Sequence, residues 1–366
     1  MIEIINKYGI YGKYIFLICM IICVIFFLKK KSIMPINNFK PLSIIIIILG
    51  ILLFVGVGIA VITIVTSNNE SNWYLKKMNY NQLLKYSKGD SQTIAFIDSG
   101  ISDAYAKKLG DRIVGKYNVL DDSGNTNDYN GHGTEMVSIA CGDGYNEVYG
   151  IAPKAKIIIV KAISDEGLTN NDYLLKALQY ISNSKATIVN ISLGGMNYSE
   201  QVVKQIAEMQ RQGITILAAA GDYDNKDLLF PASLETVIAV QSINEKGILW
   251  EECNITMDKK ESIVKYPGVD IESLTVENDK LISTISSGTS QSTAIASGYA
   301  ALIKDYYKKL HKSEIEYDYL LELMKNNTNK SYVKSVRAGI IAIPPPHVPN
   351  TAVICGIIPE ASVCFR

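Results

Sequence analysis

Two hydrophobic patterns divide the chain. Near the start the apolar positions run without interruption. Residues 14–28 read YIFLICMIICVIFFL and are followed by Lys29, Lys30 and Lys31, and residues 42–66 read LSIIIIILGILLFVGVGIAVITIVT with no charged side chain. A run of 25 residues is long enough to cross a bilayer with some tilt. The first run is short and reaches across only with Tyr11 and Gly12 included and its lysines extended to the interface. A secretory leader is the rival reading of the first run, opposed by the lack of a small-residue cleavage site and by the three lysines that follow. A buried core hairpin is the plain alternative for both runs, and the long uncharged stretch argues against it. The pattern predicts a membrane anchor over 1–66, with helices at about 11–28 and 42–66. The loop between them carries Lys29, Lys30, Lys31 and Lys40 and no acid, against Lys7 and Lys13 on one flank and Lys76 and Lys77 on the other. The positive-inside bias then places the loop in the cytoplasm and everything after residue 67 outside it.

From residue 92 the pattern changes to short β-branched runs separated by amphipathic stretches. TIAFID (93–98), KIIIVKA (156–162), TIVNIS (187–192), ITILAA (214–219) and TVIAVQ (236–241) read as strands. Their nearly continuous apolarity suits strands covered on both faces, and so a parallel sheet. Residues 170–184 place Tyr173, Leu174, Ala177, Leu178 and Ile181 on one helical face, and residues 199–213 do the same with Val202, Val203, Ile206 and Met209, ending at Gly213. Strand and helix in alternation is the α/β signature. The predicted organisation is an anchor, a linker over 67–91, an α/β domain over 92–330 and a peripheral tail over 331–366. NWYLKKMNYNQLLKY (72–86) reads as a spacer, with a short lid as the alternative. The tail holds five of the ten prolines within 338–366 and no lysine there.

Lysine plus arginine equals aspartate plus glutamate at 36 each, which removes the electrostatic case for nucleic acid. The six cysteines have no zinc-site spacing; Cys355 and Cys364 are either a small disulfide or two thiols. No cofactor and no metal are expected, although Asp121, Asp122, Asn125 and Asp128 form a polar loop with calcium-type ligands. A solvated loop is the plainer reading of those four.

In open α/β sheets functional groups gather beyond the carboxyl ends of the strands. Asp98 ends the first strand in AFIDSGI, His132 opens a helix in NGHGTEMVSIACG, and Ser290 precedes a long helical run in SSGTSQSTAIASG. Serine is inert at neutral pH unless a histidine takes its proton, and a buried carboxylate must hold that histidine in one tautomer. DSGI at Asp98, GHGT at 131–134 and GTSQSTA at 288–294, with GIAP (150–153), ISLGG (191–195), AAAGD (218–222), FPAS (230–233) and PGV (267–269) in order, resemble the motifs of the subtilisin-like serine peptidases, the subtilases. The resemblance spans residues 92 to 326. It implies a three-layer α/β fold and hydrolysis of peptide bonds through Asp98, His132 and Ser290. It also implies that Ser192, Leu193, Gly194 and Gly195 pair with an extended substrate, that Ala219, Ala220 and Gly221 form the opposite wall, and that the Ser290 N–H donates to the oxyanion.

Several positions depart from the family pattern. Asp222 stands where the family usually has an asparagine whose amide donates to the oxyanion, and an ionised carboxylate cannot donate. Ser287, Gln291, Ala294 and Ile295 replace the usual Asn, Met, Pro and His. The stretch between the expected anchor and the first strand is too short for the family's usual folded prodomain. His311 reads as solvent-exposed, Trp250 and the WEECN stretch as a surface loop, and Cys141 as a small core residue. The resulting expectation is a membrane-tethered serine endopeptidase facing outward. The rival is a degenerate relative that binds peptides without cutting them. An esterase is disfavoured because GTSQS lacks the Gly-x-Ser-x-Gly elbow.

Overall fold

The computed structural model describes residues 73–326 apart from 79, 257–259 and 279. The runs at 11–28 and 42–66, the tail from 331, and Cys355 and Cys364 lie outside these residues. Among the described residues no helix is long and apolar enough to cross a membrane.

Seven strands form one sheet: β1 (Thr93–Asp98), β2 (Ile113–Asn118), β3 (Lys156–Lys161), β4 (Ile188–Ile191), β5 (Thr215–Ala219), β6 (Ile238–Ile243) and β7 (Ile263–Pro267). Their order is β2-β3-β1-β4-β5-β6-β7, and every neighbouring pair is parallel. The period-2 side-chain alternation of a strand sends Ile94 and Phe96 to one apolar cluster and Ala95 and Ile97 to another. Both faces are thus covered, which is why these strands are apolar at every position. β2 and β7 escaped the sequence reading because they are edge strands: β2 is mostly half-buried and β7 mixes buried and exposed positions, so neither is apolar throughout. A separate antiparallel hairpin, β8 (Ile271–Glu277) and β9 (Lys280–Ser286), follows the sheet.

The helices are α1 (Trp73–Lys77), α2 (Tyr80–Leu83), α3 (Asp103–Leu109), α4 (His132–Cys141), α5 (Asn171–Ser182), α6 (Glu200–Arg211), α7 (Thr289–His311) and α8 (Tyr317–Asn326). Helices α5 and α6 cover one face of the sheet, each started by a side-chain cap: Asn170 accepts from the Tyr173 N–H and Ser199 from the Val202 N–H. On the other face, α4 and α7 pack against each other, and α7 also lies on β4 to β7. Gly298 of α7 makes the close approach possible, since a Cβ there would fall 2.7 Å from Ile151 Cβ and 3.0 Å from the Ala140 carbonyl oxygen.

The stretch before β1 is not a spacer. Trp73, Tyr74, Met78, Tyr80 and Leu83 are buried in the same apolar cluster as α4 and α7. Trp73 Nε1 donates to the Val269 carbonyl at 3.0 Å and the Tyr80 hydroxyl to the Gly150 carbonyl at 2.8 Å. Asp305, fully buried in α7, accepts from Ser87 Oγ at 2.6 Å and from the Ser91 N–H at 3.1 Å. The short helices disguised this role: the tyrosines and tryptophan are few, and a burial that depends on distant partners leaves no periodicity. The WEECN stretch differs likewise, because Cys253 and Asn254 are buried. His311 is half-buried with its ring 4.3 Å from that of Tyr307. Cys141 and Cys253 are both buried free thiols.

Candidate active site

Asp98 is the last residue of β1 and is 1% exposed. Its Oδ1 accepts from the Ser99 N–H at 2.8 Å and lies 2.7 Å from His132 Nδ1, while Oδ2 is buried without a partner. An ionised carboxylate can only accept, so Nδ1 carries the proton, and Nε2 of the neutral ring is the basic atom. Burial, the largest single influence, works against a charged imidazole, although the side chain keeps 31% exposure. The charge and hydrogen bond of Asp98, aided by Glu135 and Asp128, override it and raise the His132 pKa from 6.5 to about 9.

The loop that delivers His132 is held by Asp128, 1% exposed. Its Oδ1 accepts from Ser99 Oγ at 2.9 Å, the Gly131 N–H at 2.8 Å and the Asn130 N–H at 3.1 Å, and its Oδ2 accepts from the N–H and hydroxyl of Thr134 at 2.9 and 2.7 Å. Ser99 Oγ in turn accepts from the Gly133 N–H at 2.8 Å. Gly133 must be glycine, because a Cβ there would fall 2.3 Å from the Gly100 carbonyl oxygen. Buried Lys161, opposite Asp98 in the sheet register, closes the corner by donating to the carbonyls of Ser99 (2.7 Å) and Asn127 (3.1 Å) and to Asp165 (2.7 Å).

Ser290 is the second residue of α7 and is half-buried. Its Oγ donates to the Ser192 carbonyl at 3.3 Å, just past the end of β4, and its own carbonyl accepts from Ser192 Oγ at 3.2 Å. Asn190 holds Ser192 Oγ at 2.9 Å and is itself held by Ser297 of α7 at 3.1 Å. Asp98 and Ser290 therefore sit over the carboxyl ends of adjacent strands, β1 and β4. The structure joins Asp98 to His132; it does not hydrogen-bond Ser290 to His132, because the hydroxyl is turned to Ser192.

Asp222 follows β5, and its Oδ1 accepts from the Thr289 N–H, the first residue of α7, at 2.8 Å. A carboxylate at a helix N-terminus stabilises the helix by about 0.3–1 kcal/mol. Here it also sets a carboxylate beside the Ser290 N–H, which makes no hydrogen bond among the described residues. Asp222 Oδ2 and Gln291 Oε1 flank Gly288, lying 3.0 and 2.6 Å from where a Cβ on that glycine would be.

The predicted peptide-pairing segment divides in two. Gly195 already exchanges both backbone hydrogen bonds with Phe230, at 3.0 and 2.9 Å. Among the described residues the backbone groups of Leu193 and Gly194 have no partner, and Gly194 is exposed, so the free edge is this dipeptide. Ala219, Ala220 and Gly221 are buried, and the main chain of the last two is taken up by Val240, Leu229, Thr289 and Asn254. Asn254, which the sequence reading left on a surface loop, accepts from the N–H groups of Tyr223 and Asn225 and donates to the Asp227 carbonyl, shaping the loop that carries Asp222. Asp128 was also misplaced. Its signal was the Asp-x-x-Gly turn, in which a side-chain oxygen caps the following N–H groups.

The polar loop does not converge. Asp122 binds the Tyr117 hydroxyl and Lys176, Asp121 and Asn125 make local turns, and Asp128 faces the His132 loop. Among the described residues no group of three or more His, Cys, Asp or Glu is placed to hold a metal ion.

The subtilase family model matches residues 89–339. The major intracellular serine protease of Bacillus subtilis is 32% identical over 244 residues, covering 62% of this chain and 74% of that protein. The minor extracellular protease Epr of Bacillus subtilis is 33% identical over 243 residues, covering 65% of this chain and 36% of that protein. The cell wall-associated protease of the same organism is 29% identical over 268 residues, covering 71% of this chain and 28% of that protein. The chain belongs to the subtilase family of serine proteases.

Proposed function

We propose that the protein is a serine endopeptidase that hydrolyses peptide bonds in extended polypeptide segments, with Asp98, His132 and Ser290 as its triad. The observation that carries this is the 2.7 Å contact between the buried Asp98 carboxylate and His132 Nδ1, which leaves Nε2 as the base at the start of a helix packed on the Ser290 helix. Ser290 Oγ attacks the carbonyl as Nε2 takes its proton. Asp98 steadies the imidazolium, the Ser290 N–H donates to the oxyanion, and the C–N bond breaks as the proton passes to the leaving amine; a water activated by Nε2 then hydrolyses the Ser290 ester and frees the serine. Leu193 and Gly194 pair with the substrate backbone as an added strand.

Residues 11–28 and 42–66 anchor the chain in the bilayer, and the lysine-rich loop between them sets the catalytic domain on the extracytoplasmic side. There it trims secreted peptides or proteins close to the membrane. This placement is supported by the length and charge pattern of those runs alone. External protease added to intact cells should digest the domain; complete shielding would sink the outward placement.

A second reading is favoured by Asp222, whose carboxylate accepts at the N-terminus of the Ser290 helix where a donor is wanted. On that reading the domain holds peptides and does not cut them. A fluorophosphonate probe applied to the full-length chain and to Ser290→Ala decides between them. Labelling of Ser290 that vanishes in the variant supports the peptidase, and no labelling of the folded chain from pH 5 to pH 10 supports the binding module.

A further inference from the structure

Three polar residues outside the triad join its two helices. Glu135 lies one turn after His132 on α4, half-buried. Its Oε2 accepts from Ser286 Oγ, at the end of β9, at 2.8 Å. Ser286 Oγ accepts in turn from Gln291 Nε2 at 2.9 Å, and Gln291 is 4% exposed and immediately follows Ser290 on α7. The donors and acceptors run in one direction, amide to hydroxyl to carboxylate, so each group's role is set by the next. The chain also fixes the amide orientation of Gln291, whose Oε1 then faces Gly288 beside Asp222. A second tie lies alongside: Ser138 Oγ of α4 donates to the Glu135 carbonyl and accepts from the Leu274 N–H of β8.

We propose that Glu135, Ser286 and Gln291 form a strut that sets the position of the His132 helix against the Ser290 helix, making them positioning residues for proton transfer between His132 and Ser290. The proposal rests on the hydrolytic reading of the site. Proton transfer needs the two helices in one relative position, and directional hydrogen bonds across their seam fix it more narrowly than non-directional apolar contacts do. The strut crosses the seam where the two catalytic helices begin, through the hairpin strand that leads into α7.

Glu135 has a second effect, through charge. The groups that act electrostatically on His132 are Asp98 at the end of β1, Asp128 in the preceding loop and Glu135 on its own helix, all raising its pKa. The first turn of α7 carries no acid, Asp222 accepts at its start, and hairpin residue Glu272 acts on Tyr74. Charge and strut can be separated by substitution. Glu135→Gln keeps an acceptor for Ser286 and removes the charge, whereas Ser286→Ala keeps the charge and breaks the strut.

The test uses the full-length chain with ring-labelled histidine, measuring peptide hydrolysis, fluorophosphonate labelling rate, the NMR titration of His132 and thermal melting in each variant. Ser286→Ala is expected to lower kcat by on the order of tenfold to a hundredfold with KM little changed, and Ser286→Thr to restore it. Glu135→Gln is expected to keep most of kcat and to move the His132 titration to lower pH. Ser286→Ala within about twofold of the unaltered chain in kcat and labelling would overturn the strut. A loss of kcat matched by a fall in melting temperature, and not rescued by threonine, would make Ser286 merely structural and overturn it too. If the unaltered chain neither cuts nor labels, the hydrolytic reading fails. The Gln291 side-chain amide, followed by NMR, then decides: an unchanged signal in Ser286→Ala overturns the strut, and a displaced signal sustains the contact on which it stands.

Discussion

At the end of β1, His132 is set by Asp98 and by a closed network of Ser99, Asp128, Thr134 and Lys161, with close glycine contacts. At the end of β4, the Ser290 hydroxyl makes one 3.3 Å hydrogen bond, to a carbonyl, next to a carboxylate where the family's usual pattern has an amide donor. The base corner is dense because its donors and acceptors were buried together and had to be matched. The nucleophile corner is sparser because it must receive a substrate carbonyl, and free donors such as the Ser290 N–H are what remain for it. The departures from the family pattern lie in this second corner, at Asp222, Ser287 and Gln291. One half of the machinery is preorganised, and the other depends on what the substrate and Asp222 do together.

The largest test strikes the base corner. Asp98→Asn would leave the shape but let the wrong imidazole nitrogen carry the proton, and a fall in kcat of about 10⁴ is expected in peptide hydrolysis assays. A fall of less than about tenfold would show that Asp98 does not control the tautomer. Next, Asp128→Ala strips partners from Ser99 Oγ, Thr134 Oγ1 and three backbone N–H groups. Each buried donor left unsatisfied costs about 1–3 kcal/mol, so urea unfolding should report a loss of at least about 3 kcal/mol. The corresponding stability change for Asp222→Asn should stay within about 1 kcal/mol, since the amide oxygen can still accept from Thr289.

Asp222→Asn is the sharpest test of the nucleophile corner. Supplying an amide donor should raise kcat by roughly tenfold to a hundredfold, given that removing such a donor from a subtilisin costs about 10²–10³. An unchanged or lower kcat would mean that the Ser290 N–H suffices and that Asp222 has another task. The pH effect is of similar size, up to about a hundredfold between pH 7 and the raised value. With its pKa raised to about 9, His132 is protonated at neutral pH, so hydrolysis should keep rising beyond pH 7 and level off only above the raised value. The sign for stability is opposite. A raised pKa contributes stability that is fully present below the unfolded value of 6.5 and is lost as pH rises through about 9. A kcat/KM profile flat from pH 7 upward would show that Asp98 holds the imidazole less strongly than the geometry implies.

Much of the fold was legible in the sequence where burial is two-sided. β1 was predicted at its observed limits, and β3, β4, β5 and β6 within two residues, because strands covered on both faces are apolar at every position. β2, β7 and the hairpin were not, because one-sided burial dilutes the signal with polar residues. The candidate residues Asp98, His132 and Ser290 were legible as motifs, and the runs expected to form an anchor lie outside the described residues. The geometry around them was not. That Trp73 and Tyr74 belong to the core, that Gly195 is already paired to Phe230 while Leu193 and Gly194 are free, and that Asp128 serves the His132 loop all depend on partners far along the chain. Local sequence carries propensity and patterning, so it settled the parallel sheet, the order of the chemical groups and the missing amide at Asp222. Which oxygen faces which donor is decided only when strands β1 and β4 lie side by side and α7 packs on α4. A hydrogen bond depends on tenths of an ångström between groups that the sequence holds far apart.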